Sequence, residues 1–166
     1  MISADCFLAM PEDHPLSTLD RVPVAALDGL PMGALQARHI HQKRTLAAFA
    51  QSGARFRQVI ESQTFLPLLQ FIRTGKCLAL VDPLSVINER GYVAQSRPVV
   101  FRPLDQTIRY DYAILSPRYR PLSQVAQKLR SGWMARLYDL LASIEAAPRW
   151  EEQSHGMLGK DQGSGD

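Results

Sequence analysis

Apolar positions fall in short runs separated by turn residues, and the spacing inside each run predicts its element. Asp5-Cys-Phe-Leu-Ala-Met10 is an apolar run stopped by Pro11, the pattern of a buried strand. Pro11-Glu-Asp-His-Pro15 is a turn, because its prolines fix φ and remove backbone donors. Leu16 to Leu27 is a connector, in which Ser17 or Thr18 can cap a short helical turn and Val24-Ala-Ala-Leu27 supplies an apolar side. Leu30-Pro-Met-Gly-Ala-Leu35 is a second strand, where Pro31 and Gly33 suit an edge or a strand end facing a ligand. From Arg38 to Gln51 the pattern turns helical. Ile40, Leu46, Ala47 and Phe49 share a broad face, His41, Lys43 and Arg44 lie mainly on the other, and Ser52-Gly53 offers the stop.

Phe56 to Glu61 alternates as a strand. Thr64 to Thr74 is a helix with Phe65, Leu68, Leu69 and Ile72 at helical spacing, Ser62 or Thr64 as N-cap, Pro67 in the first turn and Gly75 as the left-handed residue after its end. Cys77-Leu-Ala-Leu-Val81 is an uninterrupted apolar run, as a strand buried on both faces requires, and Asp82-Pro83 ends it. Strand, helix, strand, helix, strand is the grammar of a βαβ-built sheet. After Gly91 it changes: Val99-Val-Phe101 and Tyr110 to Leu115 are strands with no helix between them. Leu122 to Ile144 is one long amphipathic helix capped by Ser123, with Val125, Leu129, Trp133, Leu137, Leu140, Leu141 and Ile144 at spacings of three and four. Residues 151–166 have no periodicity and are expected to be a disordered tail.

The 166 residues suffice for one domain with a core, and 46% hydrophobic with 21% charged residues is the balance of a globular chain. No stretch is long and apolar enough for a membrane span, and the start carries no basic and apolar leader. A cytoplasmic location is the expectation. Cys6 and Cys77 are too few for a disulfide framework and are expected as buried thiols. The net charge of +3 comes mostly from scattered arginines, without the dense stripe of a nucleic-acid face. Lys128, Arg130 and Arg136, with Arg118 and Arg120 before them, read as solvated flanks of a core helix, because the apolar stripe beside them must pack on protein.

Catalytic chemistry has no support: a G-x-S-x-G elbow, a Walker loop and G-x-G-x-x-G are all absent. His39 and His41, at i and i+2, do not share a helix face, and with His14 and His155 they read as surface histidines. No metal and no cofactor are expected. The informative feature is a set of strand ends: Leu30-Pro-Met-Gly33, Glu61-Ser-Gln-Thr64 and Val81-Asp-Pro83. Ligands of open α/β sheets bind outside the carboxyl ends of strands. Ser62, Gln63 and Thr64 offer hydroxyl and amide groups there, and the helix start at Thr64 favours an anion such as a carboxylate. The same residues serve equally as ordinary caps.

In order, these pieces resemble the regulatory domain of LysR-type transcription regulators. Cys6 to Met10 followed by Pro11-Glu-Asp-His-Pro-Leu16 is similar to the segment that leads from the family's first regulatory subdomain into its second. Phe65 to Gly75 and then Leu78-Ala-Leu-Val-Asp-Pro83 resemble a second family segment, with Gly75-Lys-Cys77 where the family usually has Gly-x-Gly. Val100 to Leu104, Tyr112 to Leu115 and Pro121 to Ala126 resemble its closing strands and final helix, and Val-Asp-Pro-Leu-Ser is similar to the branch that answers opines and basic amino acids. The resemblance implies an α/β, periplasmic-binding-protein-like regulatory subdomain: a mixed, mostly parallel sheet flanked by helices, plus a long C-terminal helix. Residues 1–150 would be a partial effector-binding domain, the second subdomain with the end of the first.

It further implies a non-catalytic sensor of a small metabolite, an amino acid or opine, whose DNA contact lies in a winged helix-turn-helix domain preceding Met1. Met32, Gly33, Ser62, Gln63, Thr64 and Asp82 would form one wall of the effector cleft. Ser62 and Thr64 would donate to a carboxylate, and Asp82 would accept from an amino or guanidino group. The final helix, separated from the first subdomain, would expose Trp133, Leu137, Leu140, Leu141 and Ile144, so it folds back differently or is shared between two chains of a homo-oligomer. The alternative is a lobe of a two-lobed solute-binding protein of the periplasmic type, which shares this fold.

Overall fold

The computed structural model describes residues 1–90, 98–117, 119 and 121–145. The tail at 151–166, His155, Arg118 and Arg120 lie outside them. Strands β1 (Ile2–Asp5), β2 (Phe7–Pro11) and β3 (Pro31–Leu35) come first, with two short 3-10 turns at Pro15–Thr18 and Val24–Leu27. Helix α1 (Ile40–Gln51), β4 (Arg57–Ser62), α2 (Phe65–Arg73), β5 (Leu78–Val81), α3 (Pro83–Arg90), β6 (Val99–Pro103), β7 (Arg109–Tyr112) and α4 (Gln124–Glu145) follow.

The main sheet has the order β4-β3-β5-β2-β6. β3 is parallel to β4 and β5, while β2 is antiparallel to β5 and β6, which makes the sheet mixed. β1 and β7 form a separate antiparallel ribbon. The strand expected to begin at Asp5 is therefore two strands, broken at Cys6, whose N–H bonds the Ile108 carbonyl at 2.9 Å. Alternating burial along Ile2–Asp5 marks the first of them. β3 is an interior strand and not an edge: Pro31 stands at its first position, where a missing N–H costs no ladder bond.

The uninterrupted run of β5 serves both faces of the sheet. Leu78 and Leu80 join Leu8, Met10, Met32, Ala48 and Phe49 on one face, and Ala79 and Val81 join Ala9, Leu68, Leu69 and Ile72 on the other. Helix α1 thus covers one side and α2 the opposite one. Gly33 lets α2 come close: a Cβ there would lie 3.0 Å from Leu68 Cδ2 and 3.1 Å from Cys77 Sγ. Room for Cys77 is made across the sheet by this glycine. At the end of α2, Gly75 takes φ +70°, and the bonds Gly75 N–H to Ile72 O (2.8 Å) and Lys76 N–H to Phe71 O (3.0 Å) close the left-handed stop.

Two helices depart from the sequence expectation. In α1 the buried face is His41, Gln42, Thr45, Ala48 and Phe49, whereas Ile40 is 59% exposed and Leu46 is also exposed. Phe49 must enter the core against Phe56, with ring centroids 5.0 Å apart, and the residues four and eight before it turn inward with it. Helix α3 follows β5 without a loop. Its signal is in the sequence: Asp82 accepts the Ser85 N–H at 3.1 Å as an N-cap, and Pro83 sits in the first helical position.

The second half of α4 does find a surface. Leu137, Leu141 and Ile144 are buried with Ile2, Ala4 and Tyr112 of the ribbon, against Leu84 and Ile87 of α3. Its first half stays exposed, Val125 at 76% and Leu129 at 72%.

Candidate functional site at the carboxyl rim of the sheet

Three parallel strands end side by side. Leu35 of β3 pairs with Ser62 of β4, and Gly33 pairs with Ala79 of β5, so Ser62, Gln36 and Asp82 emerge along one rim. With strands about 4.8 Å apart, the Ser62 and Asp82 positions are roughly 10 Å apart. The start of β2 reaches the same rim, since Phe7 pairs with Val81.

Ser62 is half-buried, and Gln63 and Thr64 are exposed. The Ser62 hydroxyl donates to the Thr64 carbonyl at 2.9 Å, which tightens the turn into α2. Thr64 holds the N-cap position with extended backbone, and its side chain makes no capping bond. The Phe65 and Leu66 N–H groups that open α2 therefore have no side-chain cap, while Pro67, third in the helix, carries no N–H. His39 likewise makes no side-chain cap at the start of α1, on the neighbouring strand end.

Behind Thr64 the rim is floored by aromatic rings. His41 contacts Phe65 edge-on at 5.3 Å between centroids and Tyr110 at 5.6 Å; Phe65 and Tyr110 lie 5.8 Å apart, and Tyr110 and Tyr112 5.1 Å apart. His41 Nε2 donates to the Leu80 carbonyl at 3.1 Å, because a carbonyl can only accept. That leaves Nδ1 as the acceptor, 3.6 Å from the Cys6 thiol. Burial holds His41 below its ordinary value, so the ring is neutral, and burial pushes the Cys6 thiol up, assisted by the carboxylates of Asp82 and Asp5. Tyr110 is raised by burial and by the Asp82 charge, which keeps its hydroxyl a neutral donor.

Asp82 is buried and fully engaged. One oxygen accepts from the backbone and hydroxyl of Ser85, and the other accepts from the Tyr112 hydroxyl at 2.6 Å. Tyr112 in turn accepts the Leu84 N–H at 3.3 Å. Asp82 thus fastens the start of α3 to β7, and its carboxylate is not open to a ligand as the sequence suggested. Met32 is also withdrawn from the expected wall: it lies a full strand from the rim, with no exposed surface, among Leu78, Met10 and Phe49. Gly33 is mid-strand under Leu68. Ser62, Gln63 and Thr64 are the expected residues that the fold brings together at the rim.

The sequence reads His41 as a surface histidine, whereas it is 3% exposed and packed among these rings; Tyr110 and Tyr112 are not singled out by the sequence at all. The spacing of His41, Thr45 and Phe49 by four carried the signal for the first, and Tyr110-x-Tyr112 on one strand face the signal for the others. On the ribbon, Arg44 donates to the Arg109 carbonyl and the Asp111 carboxylate, each at 2.7 Å, and Ser3 donates to Asp111. These bonds hold Asp111 below the usual carboxylate range, the Arg44 hydrogen bond most of all. Among the described residues no group of three or more His, Cys, Asp or Glu could hold a metal ion.

Residues 2–132 match the LysR substrate binding domain. The chain belongs to that family. The LysR domain described here is 25% identical over 139 residues to the Regulatory protein NocR of Agrobacterium tumefaciens (strain T37) and of Agrobacterium fabrum, covering 84% of this chain and 42% of each relative. It therefore spans less than half the length of these relatives. Its fold is that of the regulatory domain of CcmR from Synechocystis PCC6803 in complex with 2-PG, at TM-score 0.60 and 15% identity, over 89% of this chain and 66% of that one. It is equally that of HinK, a LysR family transcriptional regulator from Pseudomonas aeruginosa, at TM-score 0.63 and 15% identity, over 82% and 46%.

Proposed function

We propose that this LysR domain is the effector-sensing part of a bacterial transcription regulator, and that Ser62, Gln63 and Thr64 form its wall of a cleft for a small carboxylate such as an amino acid or opine. The observation that carries this reading is the uncapped start of α2 at the rim, where the Thr64 hydroxyl stands beside the Phe65 and Leu66 N–H groups. The similar CcmR regulatory domain, whose structure is a complex with 2-PG, supports a small-molecule ligand. DNA contact belongs to a separate domain of the regulator, and residues 1–150 to the second regulatory subdomain with the end of the first. The chain itself is non-catalytic and acts in the cytoplasm; among the described residues no helix is long and apolar enough to cross a membrane.

Coupling requires that the ligand bind one arrangement of the regulator better than another. The Phe65–His41–Tyr110–Tyr112 ring contacts run from the effector wall to β7, where the chain leaves the main sheet. A ligand that shifts the start of α2 thereby presses on the ribbon. Calorimetry with lysine, arginine and ornithine tests the reading. With one wall only, dissociation constants weaker than about 1 mM are expected, and Thr64→Val removes the residual heat. Micromolar binding to this chain alone, or binding indifferent to Thr64→Val, refutes it. The exposed stripe of Val125, Leu129 and Trp133 on α4 is the surface through which we expect two copies to associate.

A further inference from the structure

The rim carries a second concavity at its other end. In the order β4-β3-β5-β2-β6, the end of β6 lies four strand spacings from Ser62, roughly 19 Å. There a cavity of about 320 Å³ opens between the start of β2, the end of β6 and the last turns of α4. Phe7, Leu141 and Ile144 give it an apolar lining, and Asp5, Arg21 and Gln106 a polar one. Each polar group is anchored by one bond and keeps capacity to spare. Arg21 donates through Nη1 to the Leu104 carbonyl at 2.9 Å, which fixes its position and uses one of its five N–H groups. Gln106 donates through Nε2 to the Ser52 hydroxyl at 2.6 Å and retains its carbonyl oxygen as an acceptor. The half-exposed Asp5 meets Arg109 only at 3.5 Å.

An exposed cation tethered by one bond, a carboxylate, an amide acceptor and an apolar lining around one small cavity complement a molecule with both charges and a short aliphatic chain. We propose that this cavity is a second ligand site for an aliphatic α-amino acid of about the size of leucine. Its carboxylate pairs with Arg21, its ammonium donates to Asp5 and Gln106 Oε1, and its side chain packs on Leu141 and Ile144. The ligand touches α4 on one side and the sheet on the other, so occupancy fastens the final helix in the place seen here. The site shares no residue with the Ser62–Thr64 wall and does not rest on it.

Titration of the chain with L-leucine, followed by heteronuclear NMR, tests the assignment against two analogues: 4-methylpentanoate, which lacks the ammonium, and isopentylamine, which lacks the carboxylate. Saturable shifts at Phe7, Arg21 and Leu141 are expected with leucine, with each analogue at least about 10-fold weaker, one lost charge contact being worth that factor. Arg21→Gln, a change at an exposed position that leaves the core intact, is expected to weaken binding by a similar factor. Leu141→Trp, which fills the cavity, abolishes it, and Thr64→Val leaves it unchanged. Absence of saturation up to about 20 mM, equal binding of leucine and either analogue, or loss of binding in Thr64→Val but not in Arg21→Gln would overturn the proposal. The last outcome places the amino acid in the first site and leaves the reading of that site standing.

Discussion

Replacing Asp82 with alanine separates a brace from a ligand contact. The carboxylate accepts from the Ser85 backbone and hydroxyl through one oxygen and from the Tyr112 hydroxyl through the other. Loss of an N-cap costs about 1 kcal/mol. The Tyr112 hydroxyl, at a residue 9% exposed, is left without its acceptor, which costs about 1–3 kcal/mol. Some of each loss is recovered by relaxation, so about 3 kcal/mol is expected for Asp82→Ala, a large share of the roughly 5–15 kcal/mol that holds an ordinary domain folded. In urea, with a slope of about 1.5 kcal/mol per molar, the midpoint falls by about 2 M. Asp82→Asn keeps the cap through its one carbonyl oxygen but turns an NH2 donor toward the Tyr112 hydroxyl, and is expected to lose less than Asp82→Ala, about 1–2 kcal/mol. Tyr112→Phe tests the other partner: the double variant should be less destabilised than the two singles summed, with a coupling of at least about 1 kcal/mol. If Asp82→Ala melts within about 0.5 kcal/mol of the parent, the brace is refuted and the carboxylate is available to a ligand.

Stability should fall in mild acid. His41 is held neutral by burial below its ordinary 6.5, so below that pH the unfolded chain takes up a proton that the folded chain refuses. Stability is full above about 6.5 and is progressively lost as the pH falls below it; His14, also lowered by burial, acts in the same direction. Urea midpoints measured from pH 8 downward check this, and His41→Gln should flatten most of the slope. Gly132 lies on an exposed face of α4 with no atom near a Cβ placed there, so Gly132→Ala is expected to stabilise the chain by up to about 1 kcal/mol; a lower melting temperature would show that the site is occupied. Burial pushes the Cys77 thiol up to about 11 and raises Cys6 as well, so neither should react with a thiol reagent at pH 8 until urea opens the fold. Sedimentation at micromolar concentration should show self-association that Leu129→Glu abolishes; a monomer in the parent chain would refute pairing through α4.

Much of the architecture was legible because its causes are local. A five-residue apolar run bounded by Gly75 and by Asp82-Pro83 is too short for a helix and suits a strand covered on both faces, and β5 is one. A glycine after a periodic helix stops it in the left-handed conformation, and Gly75 does so. Alternation of strands and helices set the rim, and with it the place of Ser62, Gln63 and Thr64. Other features were settled across the chain, where periodicity has no reach. The inward face of α1 depends on Phe49 meeting Phe56 and on His41 bonding Leu80, 39 residues away. Asp82 reads the same as a strand end or as a binding residue until Tyr112, 30 residues later, is brought against it. The final helix could show its apolar stripe in the sequence but not its partner. Its second half is buried because the β1–β7 ribbon and α3 stand where Leu137, Leu141 and Ile144 pass, and that juxtaposition exists only once the chain has closed on itself.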